Sequence, residues 1–133
     1  MIRDIPFKKV EDIAIAVAPS IEQDEEIWRV YLVNMKDEPI EKVLVNSRGY
    51  GTIEGKQVQT SSLRQFFEQV DAKTYVVLEV LPDELKGISN QFWVSFWHEG
   101  FLYDKKYVFV TESLKENYFT KVPILNRNGV MIK

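Results

Sequence analysis

Short apolar runs recur along the chain and end in turn-forming residues about every eight to twelve positions, the pattern of a sandwich or barrel of strands. Val10 to Ala18 predicts a first strand, stopped by Pro19-Ser20 and followed by an acidic loop from Glu22 to Glu26. Ile27 to Asn34 alternates, with Trp28, Val30 and Leu32 on one face and Ile27, Arg29, Tyr31 and Val33 on the other. Such a strand has a wet side only near its start. The turn KDEP leads into Ile40 to Asn46, and the glycines of SRGYG mark a place where a strand must bend. Glu54-Gly55 reads as a tight hairpin turn between Thr52-Ile53 and Gln57-Val58. TSSLRQFFEQV carries two patterns at once. Leu63, Phe66, Phe67 and Val70 fall at helical spacing, with Ser62 and Gln65 resembling a capping box, but the neighbouring segments are strands and the extended reading is adopted. Tyr75 to Leu81 is a strand stopped by Pro82. DELKGISN is a loop with room for one helical turn, TESLKENY suits a short helix, and NRNG is a turn before Val130 to Ile132. The expectation is a mainly β chain with about seven or eight strands and at most one or two short helices. It forms a single domain over residues 1–133, a two-sheet antiparallel sandwich, immunoglobulin-like in the loose sense.

Two of those strands lie in NQFWVSFWHEGFLYDKKYVFV, residues 90 to 110, which holds eight aromatic side chains. With Glu99-Gly100 at the tip of a hairpin, Trp97 faces Leu102, Ser95 faces Asp104 and Trp93 faces Lys106. Phe92, Val94 and Phe96 then share the other face with Tyr107, Lys105 and Tyr103. The second set is unbroken on its first strand and is expected to be core. The first is interrupted by polar residues and is expected to meet water or a partner. Trp93 and Trp97 would stand roughly 7 Å apart along the strand, a spacing that a sugar ring or a base can bridge. The same pattern suits a face covered by a loop or by the chain's own tail, since aromatic side chains bury well without further purpose.

Composition narrows the chemistry. A chain of 133 residues with 45 % hydrophobic and 28 % charged residues is ordinary globular material, large enough for a core without staples. Its 17 basic and 20 acidic residues give a net charge of −3, against a DNA binder, which normally shows a basic face. RNA binding is disfavoured on the same ground, although net charge is silent about local clustering. The chain has no cysteine, so disulfides, thiolate catalysis and cysteine zinc sites are excluded. The N-terminal apolar run, Ile13 to Ala18, is too short for a secretory segment, and no stretch has the length of a membrane span. The expected setting is cytoplasmic, with no membrane association.

The remaining candidates are weaker. His98 is the only histidine, and a lone imidazole beside a turn is ordinarily a solvated or locally hydrogen-bonded group. No metal ligand set and no cofactor motif is legible. Asp24-Glu25-Glu26, Asp37-Glu38 and Asp83-Glu84 sit in turns, whereas a glycosidase needs two carboxylates across a cleft. NSRGYGTIEGK, residues 46 to 56, is neither a Walker A loop nor a dinucleotide fingerprint. Arg48 and Tyr50 within it suit stacking on a base or contact with an acidic peptide, and the segment equally suits a strand bent at a glycine bulge.

The segments KVEDIAIA, WRVYLVNMKDEPIEKVLVNSRGYG, TSSLRQFF, YDKKYVFV and KVPILNRNGV, nearly the whole chain, together resemble a group of small uncharacterised bacterial proteins. Members of that group often carry the label phenylalanyl-tRNA synthetase alpha subunit. That label implies a class II core with motifs of the F-R-x-E and G-x-G-x-x-R kind. In this chain no Phe-Arg pair occurs and GYG is followed by Thr52-Ile53-Glu54, so no synthetase residue is carried over.

No catalytic residue is identified. The function expected is a non-enzymatic interaction module that binds a protein partner, or a second copy of itself, through an exposed aromatic face or edge. Trp93, Trp97, Arg48 and Tyr50 are its candidate binding residues. The alternative is a translation-linked RNA-binding accessory domain using the Arg48/Tyr50 loop. A continuous basic patch at Arg48, Lys56 and Arg64 would favour RNA, and a neutral aromatic patch would favour protein or sugar.

Overall fold

The computed structural model describes residues 8–60 and 62–133. Ten strands form two antiparallel sheets packed as a sandwich. The first sheet contains β1 (Ile13–Glu22), β2 (Glu25–Asn34), β6 (Thr74–Val80), β9 (Thr120–Val122) and β10 (Arg127–Ile132), in the order β6-β2-β1-β10-β9. The second contains β3 (Ile40–Ile53), β4 (Lys56–Gln59), β5 (Leu63–Val70), β7 (Ser89–His98) and β8 (Phe101–Phe109). Its order is β4-β3-β7-β8, with β5 pairing along the first half of β3 on the edge that β4 continues. The only helical segments among the described residues are single 3₁₀ turns at Asp83–Leu85 and Glu116–Tyr118.

Several boundaries differ from expectation, each for a local reason. Asp12 takes a positive φ of 62°, so the first strand begins at Ile13 rather than Val10. It then runs through Pro19 to Glu22. β10 stops pairing at Val17, so from there the outer edge of β1 is open and a residue without an N–H is tolerated. The acidic loop is reduced to a two-residue turn, Gln23-Asp24, with φ of 50° and 64°, the paired positive values of a type I′ hairpin. Glu54-Gly55 repeats that geometry between β3 and β4, as its sequence suggested. SRGYG, expected to mark a bend, lies inside β3, which runs on from Ile40 to Ile53. Glycine is required at position 51 because a β-carbon there would come within 2.9 Å of the Ile88 side chain. The segment TSSLRQFFEQV is extended, as β5. Of NRNG only Asn126 belongs to the turn, which covers residues 123–126, and Arg127 to Gly129 already lie in β10. The strand number exceeds seven or eight because β4 and β9 are only four and three residues long.

The main core lies between the sheets. Ile13, Ile15, Val17, Trp28, Val30 and Leu32 of the first sheet meet Val43, Val45, Phe92, Val94, Phe96, Tyr107 and Phe109 of the second. Phe96 stacks on Tyr103 at 5.1 Å, Phe92 meets Phe109 edge-on, and the buried Tyr107 hydroxyl donates to the Ile13 carbonyl at 2.8 Å, tying sheet to sheet. A second cluster covers the opposite face of the first sheet. There Ala14, Ala16, Ala18, Tyr31 and Val33 lie under Val122 and Leu125. The alanines leave room for the 122–125 segment to fold across, which is why both faces of β2 are apolar.

Candidate functional site

The β7–β8 hairpin has the register that side-chain alternation predicts. Trp93 pairs with Lys106, Ser95 with Asp104 and Trp97 with Leu102, without a bulge at DKK. Phe92, Val94 and Phe96 are buried, whereas Trp93 and Trp97 are 43 % and 42 % exposed. Residues paired across an antiparallel ladder share a face, so the registers extend this surface over four strands. One row runs Arg64, Asn46, Trp93, Lys106, and the next runs Phe66, Leu44, Ser95, Asp104. Arg48 and Tyr50 follow Asn46 on the same side of β3, at alternate positions. All four binding candidates from the sequence, Trp93, Trp97, Arg48 and Tyr50, therefore lie on the outer face of the second sheet.

Sequence reasoning missed one member of this face, Phe66, which is 57 % exposed and was hidden by the ambiguity of its segment. Leu102, placed by alternation opposite Trp97 on the side expected to meet water or a partner, is 42 % exposed. The small Ser95 stands between the two indoles on this face.

The cations on the face cluster near Trp93. Lys106 Nζ lies 5.7 Å from the Trp93 ring, Arg48 lies 5.9 Å from the Tyr50 ring, and Arg64 Nε donates to Asn46 Oδ1 at 3.0 Å. Among the described residues none of these three cations forms a salt bridge, in contrast to Lys42, which pairs with Glu68 at 3.2 Å. Asp104 accepts the Trp93 indole N–H and so fixes that ring. Lys56 is remote. It pairs with Ile53 at the far end of β3, so it does not extend a basic patch from Arg48 and Arg64.

Two further polar sites lie off this face. The pairing of β2 with β6 slips by one residue between Val30 and Tyr31, and Glu79 is thereby brought opposite Val30, a core position. Ser47 Oγ of the other sheet donates to Glu79 Oε2 at 3.3 Å, and a cavity of about 120 Å³ adjoins them, bordered by Thr60, Leu81, Asn90 and Phe92. Burial raises the Glu79 pKa above its ordinary value, with the Ser47 hydrogen bond opposing in part. Among the described residues Glu79 is the one acid that borders this cavity. At the other end of the sandwich, His98 closes β7 with its side chain 8 % exposed, and its Nε2 lies 3.0 Å from Glu38 and 3.3 Å from Glu99. The sequence showed His98 as a lone imidazole, because Glu38 is sixty residues away along the chain.

No protein-family model, curated protein or solved structure matches the chain.

Proposed function

We propose that the protein is a binding module rather than an enzyme, and that it docks a segment of another protein on the outer face of the β3–β7–β8 sheet. The observation that carries this reading is the co-facial exposure of Trp93, Trp97, Phe66 and Leu102 beside three cations that form no salt bridge among the described residues. Exposed aromatic and arginine side chains in a contiguous patch are the residue types that dominate protein interfaces. The indoles supply apolar area, and Arg48, Arg64 and Lys106 complement acidic groups at the rim of the partner. The matching occupant is an apolar segment flanked by Asp or Glu. The immunoglobulin-like description belongs with this reading in its loose sense, two antiparallel sheets that present one free face. A cysteine-free chain suits a cytoplasmic setting.

Selection of a random peptide library on the intact protein tests the proposal. Apolar sequences flanked by acidic residues should be enriched, and amide shifts on binding should map to β3, β7 and β8. The Trp93→Ala/Trp97→Ala variant should stay folded and lose the interaction. Tight, salt-dependent binding of a single-stranded oligouridylate mapping to Trp93 and Arg64 would instead favour RNA, which the same cations and stacking rings could serve. Concentration-dependent dimerisation abolished by Trp97→Ala would identify the occupant as a second copy of the chain.

A further inference from the structure

We propose that Glu38, His98 and Glu99 form a binding site for one divalent transition-metal ion, with zinc the best fit. The three ligand atoms lie within 4.8 Å of one another, and both carboxylates approach the same imidazole nitrogen. That nitrogen carries at most one hydrogen, which the two carboxylate oxygens would have to share as a weaker bifurcated bond. A metal ion between the three atoms would use all of them as ligands. The two separations from the imidazole suit this. In a tetrahedral zinc site with bonds of roughly 2.0–2.1 Å, neighbouring ligand atoms stand about 3.3 Å apart, and the imidazole here is 3.0 Å and 3.3 Å from the two oxygens.

The scaffold also favours a site over a chance meeting of side chains. The His98 ring is buried at the end of β7 and packs 6.0 Å from the Tyr103 ring, so its direction is fixed. Glu99 sits in a tight turn with φ of 50°, followed by Gly100 at 82°. Glu38 lies in the β2–β3 turn, whose backbone is held by the fully buried Asn34: its Nδ2 donates to the carbonyls of Glu38 and Asp71, each at 3.1 Å. Beyond the three ligand atoms the site opens into a recess of about 270 Å³ bordered by Pro39, Glu41 and Trp97, which leaves a fourth position for water or a partner's side chain. One imidazole and two carboxylates, with no thiolate, select zinc, nickel or copper over the six-oxygen sites of magnesium and calcium. The two glutamates reach in from exposed positions, so the binding is weaker than in a closed structural zinc site and the fold does not depend on it.

Titration of the intact chain with zinc chloride, followed by calorimetry and by the nitrogen resonances of its single histidine, tests the proposal. One ion per chain should bind with a micromolar dissociation constant and shift the His98 Nε2 signal. Glu38→Gln and Glu99→Gln, both at exposed positions that leave the core untouched, should each weaken binding by about tenfold or more. Magnesium at millimolar concentration should not compete. The proposal is overturned by the absence of a heat and of an imidazole shift at millimolar zinc. It is equally overturned by binding that leaves the His98 resonances unmoved, or that neither glutamine variant weakens.

Discussion

The difference between adjacent residues on β7 is the sharpest consequence of alternation. Phe96 is fully buried and stacks on Tyr103, whereas Trp97 stands half-exposed beside Leu102. Phe96→Ala should cost roughly 3–5 kcal/mol by urea unfolding, because it removes transfer energy and leaves a cavity between the sheets. Trp97→Ala should cost under about 1.5 kcal/mol, since much of its area is already wet. The reverse ranking would show that the faces had been assigned backwards. Glu79 offers a second test, through pH. Its folded-state pKa is raised by burial, so the folded chain holds this proton more tightly than the unfolded chain does. Stability from this group is then greatest below the unfolded value of 4.5 and declines as pH rises through the folded one. Glu79→Gln keeps an acceptor for Ser47 and removes the charge. Its melting temperature should exceed that of the wild type at neutral pH, with the gap closing toward about pH 4. A variant less stable at neutral pH, with the pH slope unchanged, would mean that the ionised carboxylate is itself stabilising.

Strand pairing in this molecule is specified unevenly, and Gly129 marks one of the tightest points. A β-carbon there would run into the Val17 carbonyl oxygen and stand 2.9 Å from Ala18 Cβ. Gly129→Ala should therefore push β10 off β1 and cost on the order of 1–3 kcal/mol or more, with faster amide exchange in Val17 and Val130 as the readout. Unchanged exchange would show that β10 can shift without loss. The β7–β8 pairing was legible in the sequence because a one-residue slip would bury Ser95, Asp104 and Lys106, so the alternation of apolar and polar positions about the Glu99-Gly100 turn fixes the register. β1 was less legible. The proline that reads as a stop is harmless on an edge that β10 has already left, and edge position is a property of the sheet, not of the segment. Likewise the helical spacing of Leu63, Phe66, Phe67 and Val70 arises because Phe66 faces outward and Val70 inward on one strand. The binding face was legible at Trp93, Trp97, Arg48 and Tyr50 through alternation. The meeting of Glu38 with His98 depends on two turns coming together at one end of the sandwich, which no local pattern encodes.

A sandwich with open sheet edges must avoid pairing with its own copies, and the second sheet ends at β8. This strand carries Asp104, Lys105 and Lys106 in the middle of its length. Lys105 is the informative one. It pairs with the fully buried Val94 and so belongs to the inward-facing set of the strand, where an apolar side chain would be expected. Its stem follows the Tyr107 ring, with Nζ 5.1 Å from the ring centre, and the ammonium donates to the Lys133 carbonyl at 2.8 Å. An inward-pointing charge on an edge strand cannot be buried against a second sheet edge without losing its hydration and its partner. The net charge of −3 is small for a chain of this size, so long-range repulsion offers little protection and the local device matters more. Lys105→Val would restore an apolar row from Val94 and remove the charge. The monomer should unfold at the same temperature as the wild type or slightly above it, because β-branched side chains suit the position. Sedimentation velocity should nonetheless show dimers and larger species growing with concentration. The Trp93→Ala/Trp97→Ala background separates this edge from the outer face: association through β8 should persist in it, whereas association through the indoles should vanish. If Lys105→Val remains monomeric at concentrations where the wild type does, the edge is protected by something other than this lysine.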